Sequence, residues 1–201
     1  MSSSSTSSNA DPASSERLAN LVGAWALAVA DRLEEATMAA AGRSGRAPAA
    51  LVALHEFAGG ETIDDLSHVL GLTHSATVRL VDALVDDGHV ARGCRAGDRR
   101  SVALRLTASG REAAGRVIRA RARAVETTLD GLSEAQRRTL TTLVERLTGD
   151  VAALRLDERA QGLPPSGGWL CRLCDFEACG RAEGRCPAAT RVATLVSASR
   201  T

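Results

Sequence analysis

The run GLTHSATVRLVDALVDDGHVAR, Gly71 to Arg92, followed four residues later by GDRRSVALRLTASGREA, Gly97 to Ala113, decides how this chain folds. Gly71 stops one helix. Thr73 then leads into another, from about His74 to Asp87, with Val78, Val81, Leu84 and Val85 on its buried face and Gly88 as its C-terminal stop. Upstream, Thr62 with Asp65 makes a capping-box start for a helix that buries Ile63, Leu66, Val69 and Leu70. The order is helix, short glycine turn, helix. Downstream, Val90–Arg92 and Val102–Leu106 favour strand by β-branching and alternation, and polar Gly93–Arg100 between them makes a β-hairpin, or wing.

Working outward, Leu18, Leu21, Val22, Trp25, Val29 and Leu33 recur at three- and four-residue steps, so Glu16 to about Ala41 reads as a long amphipathic helix. Gly42–Gly45 breaks it, and Pro48 opens a short helix over Ala49–Ala58. Ser109 with Glu112 makes a capping box for a helix to about Leu129, and Ser133 with Gln136 makes another for a helix ending near Leu156. The fold class expected is mainly α with a small β-hairpin wing. Residues 1–15, mostly serine, read as a disordered tail rather than a signal peptide. A main body spans 16–156, with the winged helix-turn-helix at about 47–106. A Pro- and Gly-containing linker covers 157–168, and a cysteine-rich segment and tail cover 169–201.

The net charge is +1, with 25 basic residues, all arginine, so affinity for nucleic acid has to come from where arginines cluster. The wing carries Arg92, Arg95, Arg99, Arg100 and Arg105 against the single acid Asp98. Such a tip is suited to a narrow minor groove and to phosphates; by itself it could equally be a solvated turn. A helix braced by its predecessor presents its first residues to base edges in the major groove, which singles out Thr73, His74, Ser75, Thr77 and Arg79. Arg79 offers a planar fork to guanine or phosphate. Thr73 has a competing role as helix N-cap.

These two runs, above all Asp98-Arg99-Arg100 followed by Leu106-Thr107 and Gly110, resemble the core of the MarR family of transcriptional regulators, over roughly residues 16–155. The resemblance implies that Arg99 approaches the minor groove, that Asp98 holds the wing by salt bridges, and that Arg100 does either. It also implies a helical dimerisation domain, about 16–42 and 107–156, that buries Leu18, Trp25, Leu140, Leu143 and Leu147 across a two-fold axis. The expected partner is therefore a pseudo-palindromic double-stranded DNA operator, with the homodimer expected to act as a repressor. The family often binds small apolar effectors. This chain has no Tyr, so a small-molecule effector would rely on Trp25, Phe57, His55 and Arg32, although core packing is the more natural role for Trp25 and Phe57.

Near the C-terminus, Cys171, Cys174, Cys179 and Cys186 follow one another at x2, x4 and x6 spacing, ahead of Pro187. No stretch of about 18 apolar residues occurs, so the chain is expected in the reducing cytoplasm, away from the membrane, where clustered thiols point to a metal rather than to disulfides. Zinc is the expected cofactor, with an iron-sulfur cluster as the alternative, and nearby Arg172, Arg181, Arg185 and Arg191 offset the charge of either. Cys94, in the wing, reads as a packing residue or a redox sensor. No nucleophile elbow, phosphate loop or His-Glu metal motif points to an enzyme. The competing reading is a redox or electron-transfer protein built around the cysteines.

Overall fold

In a computed structural model the described residues are 12–57, 61–95, 98–162 and 167–198, the side chains of 94, 95 and 98–101 excepted. The elements are α1 (Pro12–Ala41), α2 (Ala47–Glu56), α3 (Ile63–Leu70), α4 (His74–Asp86), β1 (Val90–Arg95), β2 (Asp98–Leu106), α5 (Ala108–Leu129), α6 (Glu134–Ala160), a 3-10 turn (Leu170–Leu173) and α7 (Pro187–Ala198). The protein is thus mainly helical with one two-stranded antiparallel sheet, a winged helix-turn-helix as expected. Among the described residues, no helix is long and apolar enough to cross a membrane.

Helix α2 is apolar around its whole circumference and is buried from Ala47 to Leu54. Such a helix must be covered on every side. Leu66, Val69 and Leu70 of α3, Val81 and Leu84 of α4, Leu104 of β2, and Ala113, Ala114 and Val117 of α5 share its core. Leu104 also closes the base of the wing, its N–H donating to the Glu61 carbonyl at 2.8 Å.

Most helix starts lie where the side-chain caps put them. Thr62 and Asp65 form the reciprocal capping box of α3, and Ser133 and Gln136 that of α6. Several boundaries differ from the sequence reading. Residues 12–15 of the expected tail belong to α1, while 1–11 lie outside the described residues. Helix α5 is capped by Thr107, not Ser109: the Thr107 hydroxyl accepts from Gly110 N at 3.0 Å and donates to Gly88 O at 2.7 Å, so the start also serves the preceding loop. The first part of the expected linker, Asp157–Ala160, continues α6, and the expected C-terminal tail contains α7, which packs on α6.

The end of that linker, at Gly168, is docked. Gly168 sits at φ +84 with its backbone against the turn between α3 and α4, and Gly71, φ +64, faces it. A Cβ on Gly71 would lie 2.4 Å from Gly168 N, and one on Gly168 would lie 2.6 Å from Val69 O. Gly42 has a similar φ of +68 but open space around it. We therefore expect Gly42→Ala to cost about 1 kcal/mol, the ordinary left-handed penalty, and Gly71→Ala to cost about 2–3 kcal/mol because backbone must also move. Equal costs in urea unfolding would show that the close approach does not constrain the protein.

Candidate nucleic-acid interface and cysteine module

Thr73 caps α4, its Oγ1 accepting from Ala76 N at 3.2 Å. Ser75 and Arg79, four residues apart and so one turn above the other, are both exposed, as is His74. The His74 ring is fixed by its Nδ1, 2.7 Å from Oδ1 of Asp64, which ties the first turn of α4 to the first turn of α3. Arg43 holds the other end of α4, with Nε 2.6 Å and Nη2 2.7 Å from the two carboxylate oxygens of Asp87. That contact keeps the Asp87 carboxyl below its ordinary range.

Thr77 corrects the sequence reading. It is fully buried, and its hydroxyl donates to the Thr73 carbonyl at 3.0 Å, so it packs the helix-turn-helix rather than reaching DNA. Arg92 is also committed elsewhere, pairing with Asp82 of α4 at 2.5 Å and so fastening the wing's base to that helix. Arg105 is exposed. The backbones of Arg95, Arg99 and Arg100 belong to the wing strands, with Arg95 opposite Asp98 at a register shift, but their side chains and those of Cys94 and Asp98 lie outside the described residues.

The effector set does not converge. Trp25 and Arg32 are exposed on α1, His55 is exposed on α2, and Phe57 faces the cysteine segment. A cleft of 490 Å³ lies instead between α1 and α2, lined by Leu33, Thr37, Met38, Arg46 and Pro48 and closed by Leu173.

The cysteine segment is a module wedged between α2 and α6. Cys171 lies in the 3-10 turn and Cys174 just after it, with Cys174 N donating to Cys171 O at 3.0 Å. Cys186 is buried at the start of α7, where its carbonyl accepts from Thr190 N at 3.0 Å. The thiols meet in two pairs, Cys171 with Cys174 and Cys179 with Cys186, and each pair feels the charge of the other. As the thiols stand, no group of three or more His, Cys, Asp or Glu among the described residues forms a metal-holding set.

The pairs are unequal. A hydrogen bond from Cys171, aided by the charges of Arg121 and Arg181, lowers Cys174 to about 6 against the opposing effect of burial. Donating that bond, together with burial, pushes Cys171 up. Burial and then the contact with Cys186 push Cys179 up to about 11.

The partners that Trp169 and Phe176 meet on the helical body are not legible in the local sequence. Phe176 N donates to the Glu56 carboxylate at 3.0 Å, and burial raises the pKa of that carboxyl although the bond opposes the rise. Phe57 meets Trp169 and Phe176 edge to face, with centroids 5.3 and 4.9 Å apart. The Arg181 guanidinium lies 4.6 Å from the Phe176 ring centroid and donates to Cys171 Sγ at 3.8 Å. Glu56 and Phe176 are 120 positions apart, beyond any local pattern. A cue did exist in composition: the chain has two Phe, two Trp and no Tyr, and three of those four rings gather here.

No protein-family model matches the chain, and no curated protein matches it. Solved structures do. A MarR family protein from Bacillus stearothermophilus is 25% identical with a TM-score of 0.60, over 70% of this chain and 97% of that one. CouR from Rhodococcus jostii RHA1, bound to p-coumaroyl-CoA, is 23% identical with a TM-score of 0.53, over 68% and 95%. The Mycobacterium tuberculosis MarR family protein Rv2887, in complex with DNA, is 23% identical with a TM-score of 0.51, over 66% and 95%. The protein has the MarR-like winged-helix fold. The neighbours match over nearly their full length, yet about a third of this chain lies outside the shared part.

The contrast between Thr73 and Thr77 is testable. Thr73→Ala removes an N-cap and is expected to lower stability by about 1 kcal/mol. Thr77→Val replaces an internally bonded hydroxyl with a methyl of the same shape and should stay within about 1 kcal/mol of the parent, leaving DNA affinity unchanged. A large affinity loss in Thr77→Val alone, measured by fluorescence anisotropy, would return that residue to the interface.

Proposed function

We propose that this protein is a homodimeric, sequence-specific DNA-binding transcriptional regulator that represses by occupying a pseudo-palindromic operator. The observation that carries this reading is α4 itself. It is capped by Thr73, braced by α3 through Asp64 and His74, and leaves Ser75 and Arg79 exposed at its start beside an arginine-rich wing. That is the geometry in which a recognition helix enters a major groove while a hairpin reaches along the backbone. The DNA complex of the M. tuberculosis neighbour supports the same use of the fold. Arg79 and Ser75 read bases or phosphates, and Arg95, Arg99 and Arg100 supply the wing's positive charge.

Dimerisation is supported by apolar residues that one chain leaves uncovered. Leu18, Leu21, Val22 and Trp25 on α1, and Leu143, Val144, Leu147, Val151 and Leu154 on α6, are all exposed large hydrophobics. Faces of this kind in a monomer mark an interface. A two-fold pairing of these helices places two α4 helices about one DNA turn apart, roughly 10 base pairs. CouR holds a coenzyme A thioester. In this chain the cleft between α1 and α2 is the place where a small effector would shift the dimer between operator-binding and released geometries.

Footprinting on the intergenic DNA beside the protein's own gene tests the reading: a symmetric protected site at moderate salt is expected, and the absence of any specific site overturns it. Arg79→Ala should weaken that site by about 1–3 kcal/mol and relax base preference if the guanidinium reads guanine. Arg99→Ala should weaken all sequences alike and lower the salt slope by about one; an unchanged slope removes the phosphate role. Sedimentation is expected to show a dimer, and Leu147→Glu to shift it to monomer; a monomeric parent refutes the two-fold scheme.

A further inference from the structure

We propose that Cys171, Cys174, Cys179 and Cys186 bind one zinc ion, and that the loaded module acts as a clamp on the turn between α3 and α4. Between Gly167 and Cys186 the module's regular structure is one 3-10 turn; Trp169 and Leu173 pack on the core around α2, and Leu170 and Cys179 join only a small cluster of Cys186, Ala188 and Ala152 of α6. A segment this small is held in shape by a staple, and four thiolates around a tetrahedral ion are the staple its donors fit.

The donors come from two loops, as such a site needs. The Cys-x2-Cys pair sits on the 3-10 turn. The other pair brings Cys179 from a tight loop, closed by Arg185 N on Gly180 O at 2.9 Å, to Cys186 at the start of α7. Zinc replaces the thiol protons, which leave to solvent, and draws the two facing pairs onto one centre. The four thiolates leave a net charge of minus two on the site, and Arg121 and Arg181 already face it.

The clamp follows from where the module is anchored. Trp169 N donates to Val69 O at 2.8 Å, at the end of α3, and Gly168 lies backbone to backbone against Gly71. Arg155 of α6 donates to Gly168 O at 2.8 Å from the other side. Trp169 is two residues before the first cysteine, and Gly71 is two residues before the cap of α4. A module that loses its ion therefore loosens a contact that sets where α4 begins. Phe57 and Glu56 carry the same dependence into α2.

The consequence for transcription rests on the regulator reading above; the zinc site and its mechanical link do not. The test uses the full chain purified anaerobically, with metal and acid-labile sulfide analysis, thiol titration, and hydrogen-exchange mass spectrometry over residues 63–77 before and after zinc removal by a chelator. About one zinc per chain is expected, and five thiols titrating after unfolding under chelator, the four ligands and Cys94. Exchange over 68–73 should rise about tenfold on zinc loss while α5 is unchanged.

Iron with sulfide, cysteines found as disulfides, or substoichiometric zinc that added Zn²⁺ fails to raise overturns the zinc site. Unchanged exchange over 68–73 in chelated protein overturns the clamp. Cys179→Ser is expected to bind no zinc tightly and to exchange like the chelated parent. Phe57→Leu, which leaves every ligand in place, should keep its zinc and still exchange faster at the turn, and equal exchange in it also counts against the clamp. Operator binding that weakens at least fivefold on chelation extends the clamp to DNA. If neither form binds any operator, the regulator reading fails and the zinc and exchange results stand on their own.

Discussion

Helix α2 is apolar on all sides, and a ten-residue helix of that kind is stable only when every side is covered. Leu51 and Val52 are completely removed from solvent, and each such side chain contributes on the order of 2 kcal/mol when buried. The covering elements are therefore not optional. The helix-turn-helix takes one side, α1 and α5 take others, and the cysteine module reaches the remaining end through Phe57 and Glu56. Helix α4 and the cysteines are far apart in sequence but share this one support.

That shared support gives the module a mechanical meaning that a simple appendage would lack. Two polar anchors, Trp169 on Val69 and Phe176 on Glu56, and a close backbone approach at Gly71 hold it on the body. Partly buried hydrogen bonds of this kind are costly to leave unmade, so they confine the module to one seat. Arg181 then joins the seat to the thiols, resting on Phe176 and donating to Cys171. The solved neighbours are matched over nearly their full length by only about two thirds of this chain, so a winged-helix body is complete without the rest. What the extra length adds here is a second set of contacts on the helix-turn-helix.

Much of this was legible in the sequence where the governing interactions are local. The capping boxes of Thr62 with Asp65 and of Ser133 with Gln136 involve residues three apart and were read correctly. Thr107 was missed as the cap of α5 because Ser109 with Glu112 offers the same local pattern; the decision came from Gly88, nineteen positions away. Helix α7 was overlooked although Val192 and Val196, four apart, marked a face. Thr77 was placed at the interface because its type suits DNA, but whether a hydroxyl on a helix points outward depends on which face the core takes.

By itself the sequence determined the order of elements, the glycine turn before α4, the concentration of arginine in the wing and the clustering of four cysteines near the C-terminus. These follow from periodicity, caps and residue chemistry, all of which act over a few positions. Only the tertiary structure decided that Thr77 is internal, that Arg92 serves Asp82, that Phe57 belongs with Trp169 and Phe176, and that the end of the presumed linker is seated against the helix-turn-helix. Each of those depends on groups brought together from distant parts of the chain to cover α2, and burial against a distant partner leaves no periodic signature in the residues it joins.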